Sequence, residues 1–236
     1  MRIPQLKNRG GFTLMETVIA IGVLALLLTA FLAVFAPAAQ GIRKAISVQE
    51  ADRLAYALER ELVTLRSDDT DDFDTGFEKA YQWIEESADS SKALLIYQYR
   101  GNPGSIRSDG TMEPYKGDGV AGQDFIVQPV VRRRDSAELQ EDLKALEGRV
   151  FTARLTQLVF DGGELRKGTA GTISDPTPGD GDTASGAGAD GYPEAYIAFA
   201  AEFFSVPNSS YTYIRDRLDL DQLENPIFTR NLAVRR

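Results

Sequence analysis

Cysteine and histidine are both absent from the 236 residues. Without cysteine no disulfide can staple the fold, even in an oxidising compartment. The same two absences remove the commonest zinc ligands and the usual nucleophile–base pairs of acyl-transfer enzymes. Only carboxylate, Ser, Lys or Tyr chemistry is left. The phosphate-binding Gly-Lys-Ser/Thr loop is missing too, so the chain does not itself read as a nucleotidase. Positive charge is scarce: 26 Lys and Arg stand against 35 Asp and Glu, a formal net charge of −9. Such an acidic chain is a poor nonspecific nucleic-acid binder, because that binding rests on neutralising phosphates. The one basic cluster, Arg132-Arg133-Arg134, follows an apolar strand-like run and precedes an acidic helical stretch. It reads as a solvated strand end, and no nucleic-acid partner is expected.

Acid is also missing from the first eleven residues, where Arg2, Lys7 and Arg9 stand. Gly10-Gly11-Phe12-Thr13-Leu14-Met15-Glu16 follows, and then an uncharged apolar run from Thr17 to Ala39. Those 23 residues would span roughly 35 Å as a helix, enough to cross a hydrocarbon core of about 30 Å. A secretory signal peptide or a plain signal anchor would share the basic start and the apolar run, and Ala36-Pro37-Ala38 could mimic a conventional cleavage site. Neither explains Glu16, a carboxylate placed at the edge of lipid, where an unpartnered charge costs several kcal/mol.

Gly11, Phe12, Thr13, Leu14 and Glu16, followed by the apolar helix, resemble the class III signal of type IV pilins and type II secretion pseudopilins. The resemblance covers only about the first 50 residues. It implies cleavage by a prepilin peptidase after Gly11, N-methylation of the new terminal Phe12, and assembly through Glu16, which would pair with the Phe12 amine of a neighbouring subunit. Loss of three basic residues with the leader would take the net charge from −9 to −12. Many type IV pilins staple a C-terminal loop with a disulfide, which this chain cannot do, and that departure tilts the resemblance toward the pseudopilins. Further partners implied are other pilin-like subunits and, indirectly, an assembly ATPase and its platform complex. The implied location is the bacterial inner membrane, single-pass, with a cytoplasmic N-terminus and a periplasmic domain that then joins a periplasmic filament. Three basic residues before the run against Arg43 and Lys44 after it fit that orientation.

The apolar spacing continues past Gly41 through Ile42, Ile46, Ala51, Leu54, Leu58, Leu62 and Leu65, an amphipathic stripe that extends one helix from about Thr13 to Arg66. Pro37 removes an amide donor and crowds the Ala33 carbonyl, so a kink or local break is expected there, with Gly22 a second weak point. The domain plan is therefore a leader over 1–11, a transmembrane or filament-core half-helix over 12–39, an amphipathic half over 40–66, and a globular domain over 67–236. In that domain Phe77, Tyr81 and Ile84 mark a short helix, and strands are expected at Ala93–Arg100, Phe125–Arg132, Val150–Phe160, Tyr196–Val206 and Ile227–Val234. Ser136–Leu146 reads as a helical insertion and Asp161-Gly162-Gly163 as a turn. Residues 174–193 are Gly, Asp, Pro, Thr, Ser and Ala-rich and read as a flexible loop. The fold class is α+β, a long N-terminal helix laid on an antiparallel sheet, as in pilins.

Two oxygen-rich segments could attract calcium: Asp68, Asp69, Asp71, Asp72 and Asp74, or Asp180, Asp182 and Asp190. Neither fits the EF-hand spacing, and solvated acidic loop is the default, with no cofactor expected. Glu85-Glu86 reads as a solvated helix face rather than a glycosidase pair. The expected function is a pilin-like structural subunit, not an enzyme. The alternatives are a minor pilin that binds a ligand or surface, for which Tyr211 and Tyr213 are candidate aromatic contacts, or a signal-anchored periplasmic enzyme.

Overall fold

The computed structural model describes residues 13–67, 69, 72–176 and 188–236, with backbone only for 36–52 and 54. The chain divides into two compact units, Met1–Ile46 and Ser47–Arg236. Helix α1 (Leu14–Val63) runs through both. Its helical backbone is continuous at Pro37, so the expected break does not occur there. A proline inside a helix forfeits one amide donor, and in an apolar span that loss is tolerated without interrupting the helix.

In the second unit seven strands form an antiparallel sheet: β1 (Leu94–Ile106), β2 (Met112–Pro114), β3 (Ile126–Arg133), β4 (Leu146–Asp161), β5 (Glu164–Lys167), β6 (Tyr196–Ser205) and β7 (Phe228–Arg235). The path is β2-β1-β4-β6-β7, with β3 also paired to β1 and β5 to β4. All five strands anticipated from the sequence are present. The two short ones, β2 and β5, carry no alternating apolar pattern. β5 is the return arm of a hairpin whose two-residue loop, Gly162-Gly163, has φ of 60° and 88° at its two positions. Positive φ at both positions is the geometry that matches strand twist, and glycine adopts it without strain.

Side chains alternate across the sheet with period two, and both faces are covered. On one face Leu94, Ile96, Phe151, Ala153, Leu155, Phe199, Ala201 and Phe203 pack under Ala55, Leu58 and Leu62 of α1 and under Phe77, Tyr81, Trp83 and Ile84 of α2 (Gly76–Glu86). On the other, Leu95, Tyr97, Tyr99, Val130 and Val150 meet Leu139 of α3 (Leu139–Leu143), Ile214 of α5 (Tyr211–Arg217) and the nearby Leu218 and Leu220. This double cover explains why Leu94-Leu95-Ile96-Tyr97 is apolar at every position rather than at every second one. A side chain at Gly76 would meet the Val63 carbonyl oxygen at 2.7 Å, so glycine lets the start of α2 close against the end of α1. Thr75 caps α2, its hydroxyl accepting from the Glu78 amide at 3.1 Å.

Three further sequence readings need correction. Arg132-Arg133-Arg134 is not a solvated strand end. Arg132 is buried, donating to Asp109 at 2.7 Å, to Asp142 at 3.2 Å and to Thr111 at 3.0 Å. Arg133 pairs with Glu86 and Asp135, and Arg134 donates to the carbonyls of Leu218 and Arg215. The triplet is used to tie α3 and the C-terminal segment to the sheet. Within the acidic stretch, Asp69 is not a solvated loop acid, because it accepts from the buried Lys79 ammonium at 2.6 Å. Finally, the ends of the 174–193 loop are packed: Ser174 is held by the Gln157 amide, and Tyr192 is buried against Tyr81 and Phe77. Between them, α4 (Gly188–Gly191) precedes Tyr192.

Two linked ion clusters result. Lys79 gives all three of its protons, to Glu61 at 3.0 Å, Asp69 at 2.6 Å and the Thr64 carbonyl at 2.9 Å. Burial would push the Glu61 carboxyl up, but the Arg66 and Lys79 cations beside it hold it below the ordinary carboxylate value. Arg66 also donates to the Asp109 carbonyl at 2.9 Å, which reaches the second cluster around Arg132. There Asp142 is fully buried and accepts from Arg132, from Arg107 at 2.7 Å and from the Tyr97 hydroxyl at 2.9 Å. Burial, and then Asp142, keep the Tyr97 hydroxyl well above the usual tyrosine value. Buried charges this well satisfied fix geometry more surely than they add stability.

Candidate functional site

The processing bond anticipated between Gly11 and Phe12 lies outside the described residues. Glu16 is described. Thr13 immediately precedes α1, its hydroxyl accepts from the Glu16 amide at 3.3 Å, and the Glu16 carboxylate accepts from the Thr13 amide and hydroxyl at 3.4 Å each. The bonds are long, but the arrangement is a capping box: two donors at the helix start satisfied reciprocally by a Thr and by a Glu three residues on. Glu16 therefore has an intrachain role in starting the helix, which the sequence reading missed although Thr13-x-x-Glu16 carries the signal. A carboxylate in the first turn also suits the positive end of the helix dipole.

Beyond this cap, Leu14–Phe35 is a 22-residue apolar span whose most apolar 18-residue window has mean hydropathy 2.9, and none of it is buried against the described residues. Its large apolar side chains are between 53 % and 86 % exposed, from Val23 to Leu14. Exposed apolar area on this scale is far beyond the patches that soluble monomers carry, so lipid or other helices must cover it. Polar groups within the span are self-satisfied: Thr17 and Thr29 return their hydroxyl protons to the carbonyls of Thr13 and Ala25 at 3.0 and 2.8 Å. Phe31 and Phe35 stack at 4.5 Å one turn apart.

The other candidate residues do not gather. Asp180 and Asp182 lie outside the described residues, and Asp190 is exposed on α4. Among the described residues no group of three Asp or Glu side chains is placed to hold a metal ion. Tyr211 and Tyr213 are half-buried against the second core cluster rather than displayed as a patch. Glu85 is exposed, and Glu86 is paired with Arg133.

Residues 6–32 match the prokaryotic N-terminal methylation motif, the class III signal of type IV pilins and pseudopilins. No match was found among curated proteins, and none among solved structures. The motif supports a type IV pilin-like precursor of the kind processed by prepilin peptidase, and it points to a structural subunit rather than an enzyme. The apolar helix fits a membrane-anchored pilin, and the α+β domain with its antiparallel sheet is pilin-like.

Proposed function

We propose that this chain is a pseudopilin or minor pilin of a type II secretion or type IV pilus system. It is cut between Gly11 and Phe12, methylated on the Phe12 amine, and assembled into a periplasmic filament through its N-terminal helix. The observation that carries this reading is the coincidence of the methylation motif over residues 6–32 with an apolar helix that none of the described residues covers. In an assembled array the Glu16 carboxylate pairs with the Phe12 amine of a neighbour. At short range in low dielectric that attraction is strong, while desolvation offsets much of it, so the pair sets register more than net stability. The domain, held outside the inner membrane, forms the filament surface. N-terminal sequencing of the membrane-purified protein tests the reading. It should begin at Phe12, with one added methyl group on the amine. A mature chain that begins after Ala38 would mark an ordinary secretory signal and remove the pilin reading.

A further inference from the structure

Most cations of this acidic chain are matched to carboxylates or carbonyls, but Arg53 and Arg60 are not. Both are exposed on α1, and among the described residues neither guanidinium has a hydrogen-bond or ion-pair partner. They are seven residues apart, two helical turns, so they project from one face about 10.5 Å apart along the helix. Between them lies Tyr56, 62 % exposed, with the Arg230 guanidinium over its ring at 4.7 Å. The same face forms one wall of a groove of about 340 Å³, whose far wall is β3 at Gln128 and Pro129. The groove also contains Glu61 and Arg66, but these pair with each other, and Glu61 with Lys79 as well. Its unspent charge is therefore positive.

Complementary charge stands on the same molecule, on the segment that follows Arg66. Asp72 and Asp74, in the connection between α1 and α2, are exposed, and among the described residues neither carboxylate has a partner. Asp69 beside them is clamped by Lys79, so the two acids are carried on a segment that is anchored at that point to a buried ion pair. A cationic groove and an anionic segment on one chain are complementary between two copies. Where the segment of each copy enters the groove of the next, the contact is heterologous and propagates into an open helical array instead of closing into a dimer.

From this we infer that the groove between α1 and β3 receives the Asp72–Asp74 segment of a second copy of this chain, the two carboxylates meeting Arg53 and Arg60 with Tyr56 between them. The inference rests on the filament reading above and gives it a specific domain–domain contact. Paired exposed charges set orientation and discriminate against wrong neighbours more than they add affinity, and their effect weakens with salt. The occupant is another copy and not nucleic acid, since two arginines in a groove on a chain of net charge −9 offer too little phosphate neutralisation.

The absence of native cysteine makes the test clean. The full chain carrying Pro129→Cys in the groove wall together with Thr70→Cys beside the acidic pair in sequence, which leaves both arginines and both carboxylates in place, is produced with its assembly machinery and oxidised in membranes. A head-to-tail contact should give a ladder of disulfide-linked multimers from the double variant and none from either single variant. Adding Arg53→Glu and Arg60→Glu should reduce the ladder at least about ten-fold, and adding Asp72→Arg to that background should restore a substantial part of it. A ladder indifferent to charge reversal would overturn the inference, and so would dimers from a single-cysteine variant, which mark a two-fold contact. If processed protein enters filaments and no ladder forms, this contact is wrong and the filament reading stands. If the chain is neither processed at Phe12 nor found in filaments, both fall.

Discussion

The Lys79 ammonium lies 2.6 Å from the Asp69 carboxylate, with none of the lysine side chain exposed to solvent. Lys79 comes from α2 and Asp69 from the segment that leaves α1, so this pair, with Glu61, closes the corner where the long helix hands over to the domain. Trp83 covers the ammonium, which sits 4.5 Å from its ring centroid. A cation in this position cannot be replaced by water, and the two carboxylates around it depend on it.

Lys79→Met should therefore lower domain stability by about 3 kcal/mol, the usual cost of leaving buried carboxylates without their counter-ion. Urea denaturation followed by tryptophan fluorescence would report it, Trp83 being the single tryptophan and adjacent to the site. Because the cost comes from uncompensated anions, the deficit should shrink as the pH is lowered through the carboxylate range. A deficit that is constant with pH would mean that the lysine stem's packing, not its charge, is what is lost.

The same clusters fix a pH profile. Burial raises the Glu61 and Asp109 carboxyls, but Arg66 and Lys79 on the first, and Thr111 and Arg132 on the second, bring both below their ordinary values of 4.5 and 3.8. Groups depressed in this way contribute stability that is fully present above those ordinary values and is lost as pH falls through the folded ones. Tyr97 is the opposite case, its hydroxyl held well above 10.0 by burial and by Asp142, so its contribution is present below that value and lost as pH rises above it. Thermal midpoints of the domain should be flat across neutral pH and fall at both ends. Tyr97→Phe should lessen the alkaline fall while leaving the acid limb unchanged. An unchanged alkaline limb in that variant would assign the loss to other groups.

Leu58 is fully buried between α1 and the sheet, although it lies in the same helix as the lipid-compatible run. A fragment from Ser47 onward, the second compact unit, is expected to fold alone. In that fragment Leu58→Asp should cost several kcal/mol by burying an unpaired charge. Unchanged thermal unfolding would show that the stripe is not a core element of the isolated domain.

Much of this fold was legible because it depends on periodicity. The 3.6-residue spacing of Leu58, Leu62 and Leu65 and the apolar runs of β1, β3, β4, β6 and β7 are local signals, and each reappears in the structure. What was illegible depends on pairing across the chain. Nothing near Arg132 in sequence shows that Asp109, 23 residues earlier, would meet it, or that Lys79 would reach back 18 residues to Glu61. Sequence alone makes a charged residue look solvated, and that expectation fails where partners from other elements converge. The N-terminal site shows the reverse. Its motif is plain in the sequence, while the Thr13–Glu16 cap is masked there because one carboxylate carries both a charge and a hydrogen-bonding role.

That double role of Glu16 can be separated by one substitution. A capping box accepts Gln in place of Glu, since the Gln carbonyl can receive the Thr13 amide, whereas an ion pair with a neighbouring amine requires the charge. Glu16→Gln should therefore keep the helix start, membrane levels and peptidase processing near wild type while lowering entry into filaments at least about ten-fold, equivalent to about 1.4 kcal/mol at the docking step. Glu16→Ala removes both functions and should be at least as defective. Thr13→Ala weakens the cap alone, with a cost of about 1 kcal/mol for a capping residue, and should assemble with only a mild deficit. Incorporation of tagged variants into sheared filaments, normalised to processed protein in the membrane, measures all three. If Glu16→Gln assembles as well as wild type while Thr13→Ala does not, Glu16 serves as a cap, and the helices dock by apolar packing without a Phe12 ion pair.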